Sequence, residues 1–520
     1  MAVVVMFAAL ARGAHDLWSA TLVHAVMLLG LAAVLIAAYR RPEGSGLRLP
    51  LLMPALALLA AAALSTAAAA NRFDAIFALK DLTAALLAFL AGANAFRTDD
   101  DTDLLLMLIV PVLWIQAATM ITQLASAGAF RGLVEAQGTL VNPNIQAAFA
   151  IFWVPPLVFR AMAARASGHH FYYFISGLAA ALGGIVLAGS TWAMVCLGLA
   201  LLGAFALRQN KPARIGSAAL AAIALVALAL WYKFTRSEAW TVTGVPPPAG
   251  SDRIRWWASA LRMFLARPWL GVGLGGFPSA YPAFHTGPGQ STLFAHSLPL
   301  MVLAETGIAG GAAALAFILA WKRRAIPAIA ARGPYVAGVM LFILSSLVNV
   351  GPEYLVNQLV LGLFLGIALA TLPMPDVRPR LSVVVVAASV AVLALPLLAA
   401  PFLASRLIVD GKSLLALKDA AAARPLFESA IKLDSTSWEA YYGRALALWT
   451  NASATPDDRR AALSDMDRAI ALNQLDGQLW WENGEMLKEA GKMDAARVTL
   501  ARAAELRPAD DRIKQELGGL

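Results

Sequence analysis

Long apolar stretches separated by short polar connections run through the first three quarters of the chain. Each stretch has roughly 18 or more residues, the length that an α-helix needs to cross the hydrocarbon core of a bilayer. We therefore predict about a dozen membrane-spanning helices, at residues 16–39, 50–70, 75–96, 103–125, 142–160, 171–188, 190–208, 214–233, 295–321, 333–350, 355–373 and 381–404. The pattern indicates an all-α, polytopic membrane domain at residues 1–404.

Basic residues are concentrated in every second connection between these stretches. Those connections carry Arg40, Arg41, Arg48, Arg97, Arg160, Arg165, Arg208, Lys211, Arg214, Lys322, Arg323, Arg324, Arg332, Arg378 and Arg380. The positive-inside rule assigns them to the cytoplasmic side. Alternation then puts the polar loop 234–294 and the tail beyond residue 404 on the outer side, which is the periplasm if the membrane is a Gram-negative inner membrane.

The composition excludes a soluble enzyme for this part of the chain. Hydrophobic residues make up 60% of the sequence and charged residues 14%, too little polar surface to cover a soluble core. The net charge of +9 does not indicate a nucleic-acid partner: from Arg406 onward there are 16 basic and 18 acidic residues, which leaves 25 basic and 14 acidic residues in the membrane domain. Most of those charges lie in short loops, as the positive-inside rule requires. The one cysteine, Cys196, lies in an apolar stretch and is expected to be a small core residue.

Residues 1–12 contain an apolar run of about ten residues, which is too short to cross a bilayer. The run has no basic region before it, so a cleaved signal peptide is not expected. We expect a partial or re-entrant helix, or the end of a helix that begins upstream.

The tail, residues 405–520, has the residue spacing of tetratricopeptide repeats. In the last copy the signature positions hold Trp480, Gly484, Leu487, Gly491, Ala496, Leu500, Ala503 and Pro508. Earlier copies include Gly411 and Tyr441, and the middle copy is lengthened around residues 454–458. The spacing predicts three repeats that form an α-solenoid; the alternative is one amphipathic helical bundle. We expect this domain to share no core with the membrane domain and to offer a surface to a protein partner.

The outer loop and the helix after it hold the residues that could carry chemistry. Gly271, Gly273 and Gly276 satisfy G-x-G-x-x-G, but no strand precedes them and no βαβ unit is available, so nucleotide binding is not expected. Arg253 offers a permanent charge that can contact a phosphate at two points. His296 stands where the loop enters a helix, and histidine titrates near neutrality, so it is a candidate general base.

As a set, these residues resemble the O-antigen ligase/polymerase family of membrane glycosyltransferases, over residues 50–370. The positions that match are Arg253, Trp257, Pro268, Gly271, Gly273, Gly275, Phe277, His296, Glu305 and Gly307, together with Gly138, Asn142, Pro143 and Asn144. Ser297 stands where the family usually has Asn. The family often has Ser-Arg near residue 190, whereas this chain has Thr191 in place of the arginine, so either Arg131 or Arg255 substitutes or the donor is held differently.

The resemblance implies transfer of a glycan from undecaprenyl diphosphate to an acceptor hydroxyl, without a cofactor, metal ion or nucleotide. It implies that His296 takes the acceptor proton and that Arg253 steadies the leaving diphosphate. The candidate substrate-binding residues are Arg255, Arg131, Trp257, Asn142, Asn144 and Glu305. Each also has a structural interpretation: the asparagines would cap a helix, Trp257 would belong to an interfacial aromatic belt, and Glu305 would orient a helix.

Three acceptors fit these residues: lipid A core, a growing glycan, or a protein hydroxyl, as in a protein O-oligosaccharyltransferase. A transporter or flippase is a rival interpretation, and it would require ionisable residues near the middle of the bilayer. A non-enzymatic scaffold for envelope assembly is a second rival, in which the repeats would be the functional part.

Overall fold

The computed structural model describes residues 1–40, 46–126, 136–164, 169–206, 250–285, 292–508 and 510–519. The membrane domain contains α1 (Ala2–Leu10), α2 (Leu17–Arg40), α3 (Leu52–Ala67), α4 (Arg72–Ala95), α5 (Asp99–Ser126), α6 (Pro143–Ala163), α7 (His169–Leu187), α8 (Thr191–Ala206), α9 (Gly250–Ala266), α10 (Phe277–Phe284), α11 (Leu298–Ser346) and α12 (Leu355–Ile367). The C-terminal part contains α13 (Leu381–Ala416), α14 (Ala420–Leu433), α15 (Trp438–Thr450), α16 (Pro456–Leu472), α17 (Gly477–Glu489), α18 (Met493–Leu506) and α19 (Asp511–Gly518).

Seven of the described helices are long and apolar enough to cross a membrane, namely α2, α4, α5, α6, α7, α11 and α13. Helices α3 and α12 are apolar but shorter, with 16 and 13 residues. Helix α11 has 49 residues, and its backbone is non-helical at Gly307 and Arg332. It covers most of both predicted spans, 295–321 and 333–350. The predicted span 214–233 lies outside the described residues. A multi-pass, all-helical membrane protein is confirmed, and the number of twelve spans stays a prediction.

The core of the membrane domain is centred on α6, most of which is buried. The Phe152 ring stacks on the Phe342 ring of α11 with centroids 4.2 Å apart, and it meets the Phe364 ring of α12 edge-on at 5.4 Å. Helices α4 and α12 pack with their backbones in contact, because a Cβ added to Gly362 would lie 2.1 Å from the Ala85 carbonyl oxygen. Small residues at helix contacts are typical of membrane proteins, where close backbone approach supplies the packing energy.

The N-terminal helix α1 has nine residues and cannot cross a bilayer by itself. Val5, Ala8 and Ala9 are buried, and the Ala9 carbonyl accepts a 2.6 Å hydrogen bond from the Thr139 hydroxyl. The helix is therefore a partial helix that is packed into the core of the membrane domain.

The C-terminal helices pack in consecutive pairs. The end of α13 packs on α14, α15 packs on α16, and α17 packs on α18. Phe427 of the first pair is fully buried, and a Cβ on Gly443 in α15 of the second pair would lie 2.1 Å from its ring. Helix α13 runs through the predicted domain boundary at 404/405 without a break.

The C-terminal domain and the outer part of the membrane domain share a hydrophobic core, contrary to our expectation from the sequence. Leu475 and Leu506 belong to the same buried cluster as Trp256 and Phe277. The Gln474 amide also donates a 3.3 Å hydrogen bond to the Ala70 carbonyl. The sequence does not reveal this contact, because the two leucines are about 200 or more positions away from Trp256 and Phe277 along the chain.

Candidate functional site

His296 occupies a strained position immediately before α11. Its φ is 53°, in the left-handed region that a residue with a side chain rarely adopts, and Ser297 is the extended residue before the helix. The imidazole stacks on the Trp256 ring with centroids 4.6 Å apart and planes 25° apart. The His296 carbonyl accepts a 3.4 Å hydrogen bond from the Trp257 indole. Two adjacent tryptophans of α9 therefore hold the ring and the backbone of this histidine.

The surroundings of His296 keep its ring neutral. Burial and the nearby positive charge of Arg253 lower the pKa of His296 to about 4, and a hydrogen bond with Asn349 opposes this shift. The Nδ1 atom is buried and has no hydrogen-bond partner. A neutral imidazole can accept a proton, which a histidine charged at neutral pH cannot do.

Arg253 lies at the beginning of α9 and points toward the outer end of α11. Its Nη1 donates a 3.4 Å hydrogen bond to the Val348 carbonyl, and its charge acts on His296. Arg255 lies two residues further along α9. Its Nη1 atom is 3.4 Å from Asp252 Oδ1, and its side chain is partly exposed. Arg131 lies outside the described residues.

A buried cluster of neutral polar side chains lies beside these residues. The Asn349 amide donates to Asn144 Oδ1 at 3.1 Å and to Ser190 Oγ at 3.2 Å, and the Ser190 hydroxyl donates to Asn144 Oδ1 at 3.2 Å. Asn349 and Ser190 are 2% and 3% exposed. Since Asn349 also bonds His296, the cluster connects the starts of α6, α8 and α11. Sequence analysis missed Asn349. The polar residues between the predicted spans 333–350 and 355–373 could have indicated a functional position there.

The two asparagines of the motif Gly138-x-x-x-Asn142-Pro-Asn144 have different positions. Asn142 caps α6, and its Oδ1 accepts hydrogen bonds from the backbone amides of Asn144 and Ile145. The Asn144 side chain instead belongs to the buried cluster with Ser190 and Asn349. Only Asn144 is thereby connected to His296.

Glu353 was also missed by sequence analysis. It follows the end of α11, and its carboxyl group accepts a hydrogen bond from the Gly351 amide. Burial raises the pKa of Glu353 to about 8, and the charge of Glu305 acts in the same direction. The carboxyl group is therefore neutral at pH 7.

Glu305 lies against the glycine-rich loop, nine positions after His296. Its Oε1 accepts a 3.2 Å hydrogen bond from the Phe277 amide, and its carbonyl accepts from the Gly273 amide at 3.1 Å and from the Ser65 hydroxyl at 2.8 Å. These contacts fasten the loop to α3 and α11. The structure does not bring Glu305 into the cluster around His296.

The glycines of the loop allow two backbones to touch. Gly271 has φ of 69°, and a Cβ there would lie 2.3 Å from the Glu305 carbonyl carbon. Gly307 breaks the helical path of α11 with φ of 61°, and a Cβ there would lie 2.5 Å from the Trp269 carbonyl carbon. The glycine spacing that resembles a nucleotide-binding motif therefore allows the loop backbone to pack closely against neighbouring backbone.

Among the described residues, no group of three or more His, Cys, Asp or Glu side chains is placed to hold a metal ion. What the site offers is a neutral histidine, a permanently charged arginine and a set of neutral hydrogen-bonding groups, all at or next to helix ends. Such a set can accept a proton and stabilise a phosphate-like negative charge.

Comparison with known proteins agrees with this chemistry. No curated protein matches the chain. The O-antigen ligase family model matches residues 176–315, which include α9, the glycine loop, His296 and Glu305. This part of the chain is thus similar to the O-antigen ligases, and the match supports a multi-pass membrane protein with a glycan ligase-like or polymerase-like role in the synthesis of envelope polysaccharide.

Proposed function

We propose that the protein transfers a glycan from an undecaprenyl-diphosphate donor to an acceptor hydroxyl at the outer face of the inner membrane. The observation that carries the proposal is the buried, neutral His296 beside Arg253, at the outer ends of the spans. The acceptor is lipid A core, a growing glycan or a protein hydroxyl.

In the proposed reaction the acceptor oxygen attacks the anomeric carbon of the donor sugar. The bond from that carbon to the diphosphate oxygen breaks, and the hydroxyl proton passes to the imidazole of His296. The diphosphate leaves on its lipid, with its negative charge against Arg253. Trp256 and Asn349 hold the imidazole in place from its face and its edge.

A pKa of about 4 makes His296 a weak base in the free protein. Donor binding changes this, because a diphosphate near Arg253 offsets the positive charge that depresses the pKa of His296. The bound donor thus raises the basicity of the residue that must accept the acceptor proton.

The decisive test is glycan transfer by purified protein in nanodiscs with an undecaprenyl-diphosphate-linked oligosaccharide. His296→Ala should lose about 10²-fold or more in rate, the usual contribution of general-base catalysis. His170→Ala, on the exposed start of α7, is the matched control and should keep normal transfer. Near-normal transfer by His296→Ala would contradict the catalytic role and favour the scaffold interpretation.

The role of Arg253 is tested by exchanging it for lysine. Arg253→Lys should lose rate, because a point charge does not reproduce the two-pronged contact of a guanidinium group with phosphate. Arg267→Lys, on the exposed end of the same segment, should not. Equal rates for the two variants would remove the diphosphate contact from the proposal.

The proposal also includes the tetratricopeptide repeats of the C-terminal domain and the periplasmic location of that domain. The paired helices from α13 to α18 support three tetratricopeptide repeats. The alternation of basic connections favours the periplasmic side for them, where a protein partner could dock. Alkaline phosphatase fused after Leu520 should be active, and an inactive fusion would reverse the topology and move the site to the cytoplasm.

A buried ionisable pair favours a second candidate function, proton-coupled export of a lipid-linked glycan. His24 Nε2 of α2 lies 2.7 Å from Asp81 Oδ1 of α4, inside two candidate spans, and such pairs often mark ion pathways. His24→Ala tests this. If the protein is an enzyme, His24→Ala should keep transfer activity in detergent, where no proton gradient exists. If the protein is a transporter, the same variant should lose export in vesicles.

A further inference from the structure

Helix α9 presents an apolar stripe to the surroundings of the protein. Ile254, Leu261, Leu265 and the following Trp269 are 65%, 47%, 65% and 72% exposed. Spacings of seven, four and four residues place them on one side of the helix and its C-terminal extension. Soluble proteins rarely leave such a contiguous apolar face uncovered, and large faces of this kind mark contact with a membrane or another protein.

The stripe is distinct from the face that α9 buries. Trp256, Ala260 and Met263 are 5%, 0% and 0% exposed, and they pack in the cluster that also holds Phe277 and Leu506. An amphipathic surface helix needs one apolar face, and α9 has two. The second face therefore requires an environment of its own.

Both ends of α9 are fastened to the outer ends of membrane helices. At its beginning Arg253 donates to the Val348 carbonyl, and just after its end the Pro268 and Trp269 carbonyls accept from the Ile308 and Ala309 amides at 2.8 and 3.2 Å. With 17 residues, α9 is about 25 Å long at 1.5 Å per residue.

The two attachment points lie at the same depth. Trp321 donates to the Leu365 carbonyl, and the Tyr335 ring lies 5.1 Å from the Phe364 ring, so Trp321 and Tyr335 share one level near the cytoplasmic end of α12. Ile308 and Val348 are each 13 residues from that level, about 20 Å along a helix. The two ends of α9 are thus attached at similar distances from that level, as expected for a helix that lies along a membrane surface.

The stripe is also continuous with the lipid-facing surface of the spans. Leu64 near the outer end of α3, and Ile308 and Leu315 in α11, are 58%, 44% and 57% exposed. Ser65, next to Leu64, donates a 2.9 Å hydrogen bond to the carbonyl of Leu270, which follows Trp269. Tryptophan is typical of the level where hydrocarbon meets headgroups.

We propose that α9 is an interfacial helix whose stripe of Ile254, Leu261, Leu265 and Trp269 lies in the acyl chains of the outer phospholipid leaflet. The helix then carries Arg253 and Trp257 at headgroup level. Its consequence for catalysis rests on the proposed function: a lipid-linked diphosphate reaches Arg253 by lateral diffusion, without leaving the bilayer. The placement of α9 does not depend on that function.

The test uses full-length protein in nanodiscs of phosphatidylethanolamine and phosphatidylglycerol. The one native cysteine, Cys196, is buried and is replaced by alanine. Nitroxide labels are then attached at Leu261→Cys and at Leu265→Cys, one per protein. Collision rates with oxygen, which concentrates in lipid, and with a water-soluble nickel chelate are measured by electron paramagnetic resonance.

Two further labels calibrate the measurement. Leu315→Cys in the span marks lipid, and Val498→Cys, which replaces a side chain 71% exposed on α18, marks water. We expect the labels at 261 and 265 to collide with oxygen at least several-fold more than with nickel, as at 315. A nickel accessibility like that at 498 would overturn the proposal.

Protection from both reagents would overturn it too, because protein and not lipid would then cover the stripe. Size-exclusion profiles and thermal unfolding show whether each labelled protein is folded. The collision data require no transfer, so failure of the interfacial placement and failure of the proposed enzyme activity remain distinguishable.

Discussion

The glycine-rich loop and the C-terminal helix pairs both depend on glycine, but for different reasons. In the loop, Gly271 faces the backbone of Glu305 and has a positive φ of 69°. In the helix pairs, Gly443 has an ordinary helical backbone and faces the ring of Phe427. The packing of the loop therefore depends on backbone conformation, and the packing of the C-terminal helices depends on side-chain volume. A backbone contact cannot be relieved by trimming a neighbour, whereas a side-chain contact can.

The two regions nevertheless meet in one core. Leu475 and Leu506 from the C-terminal domain belong to the same buried cluster as Trp256, the residue that stacks on His296. The C-terminal helices, whose packing depends on side-chain volume, thus share a core with the residue that stacks on His296. The following predictions test how far the difference and the connection extend.

The largest effect is expected for Gly271→Ala. Left-handed strain and the 2.3 Å approach to the Glu305 backbone should together lower the free energy of unfolding by about 3 kcal/mol or more. Transfer activity should fall with it, and thermal unfolding in detergent measures the loss. The control is Gly491→Ala, which has φ of 73° but nothing within 4 Å of the added Cβ, and should cost about 1 kcal/mol. Equal losses would show that φ alone, and not backbone contact, shapes the loop.

The second-largest effect is expected in the core that the C-terminal domain shares with the membrane domain. Leu506→Ala should lower the free energy of unfolding by about 2–3 kcal/mol, as buried leucines do when they are truncated. Because Leu506 supports Trp256, carbethoxylation of His296, followed by mass spectrometry, should also become faster. Val498→Ala, on the exposed side of the same helix, should change neither quantity. An unchanged carbethoxylation rate of His296 in Leu506→Ala would mean that the C-terminal helices pack on the membrane domain without affecting the site.

A smaller effect, with a rescue, is expected in the helix pairs. Gly443→Ala places a Cβ 2.1 Å from the Phe427 ring and should cost about 1–2 kcal/mol by overpacking. Phe427→Leu in the same protein should recover part of the loss, because the leucine side chain lacks the atoms that clash. The free energies of unfolding of both single variants and the double variant form the test. Strict additivity would contradict the proposed difference between the two regions.

The smallest change is expected from pH. Since the pKa of His296 is lowered to about 4, the ring is neutral above that value and protonates below it. The rate constant kcat/KM should therefore change less than about twofold on account of His296 between pH 5.5 and 8, and fall below about pH 4–5. The acidic limb of kcat should lie at higher pH than that of kcat/KM, because bound diphosphate raises the pKa of His296. Coincident limbs would remove the contact between diphosphate and Arg253 from the mechanism.

Several features of this protein follow from the sequence by itself. Apolar stretches predict most of the spans, because a bilayer requires every backbone hydrogen bond to be satisfied within the helix. The motif positions from Arg253 to Glu305 identify the outer loop as the region of interest. They do so because they resemble the motif of the O-antigen ligase family, whose model also matches residues 176–315.

Only the tertiary structure decided which of those residues meet. Asn349 and Ser190 are 159 positions apart and bond each other because α8 and the outer end of α11 converge beside α6. Glu305 is near His296 in the chain, yet it bonds the glycine loop, since a helix turns successive side chains toward different neighbours. Leu506 lies at the end of α18, and it also belongs to the buried cluster that contains Trp256. Contacts of this kind depend on the packing of whole helices, which residue spacing along the chain does not encode.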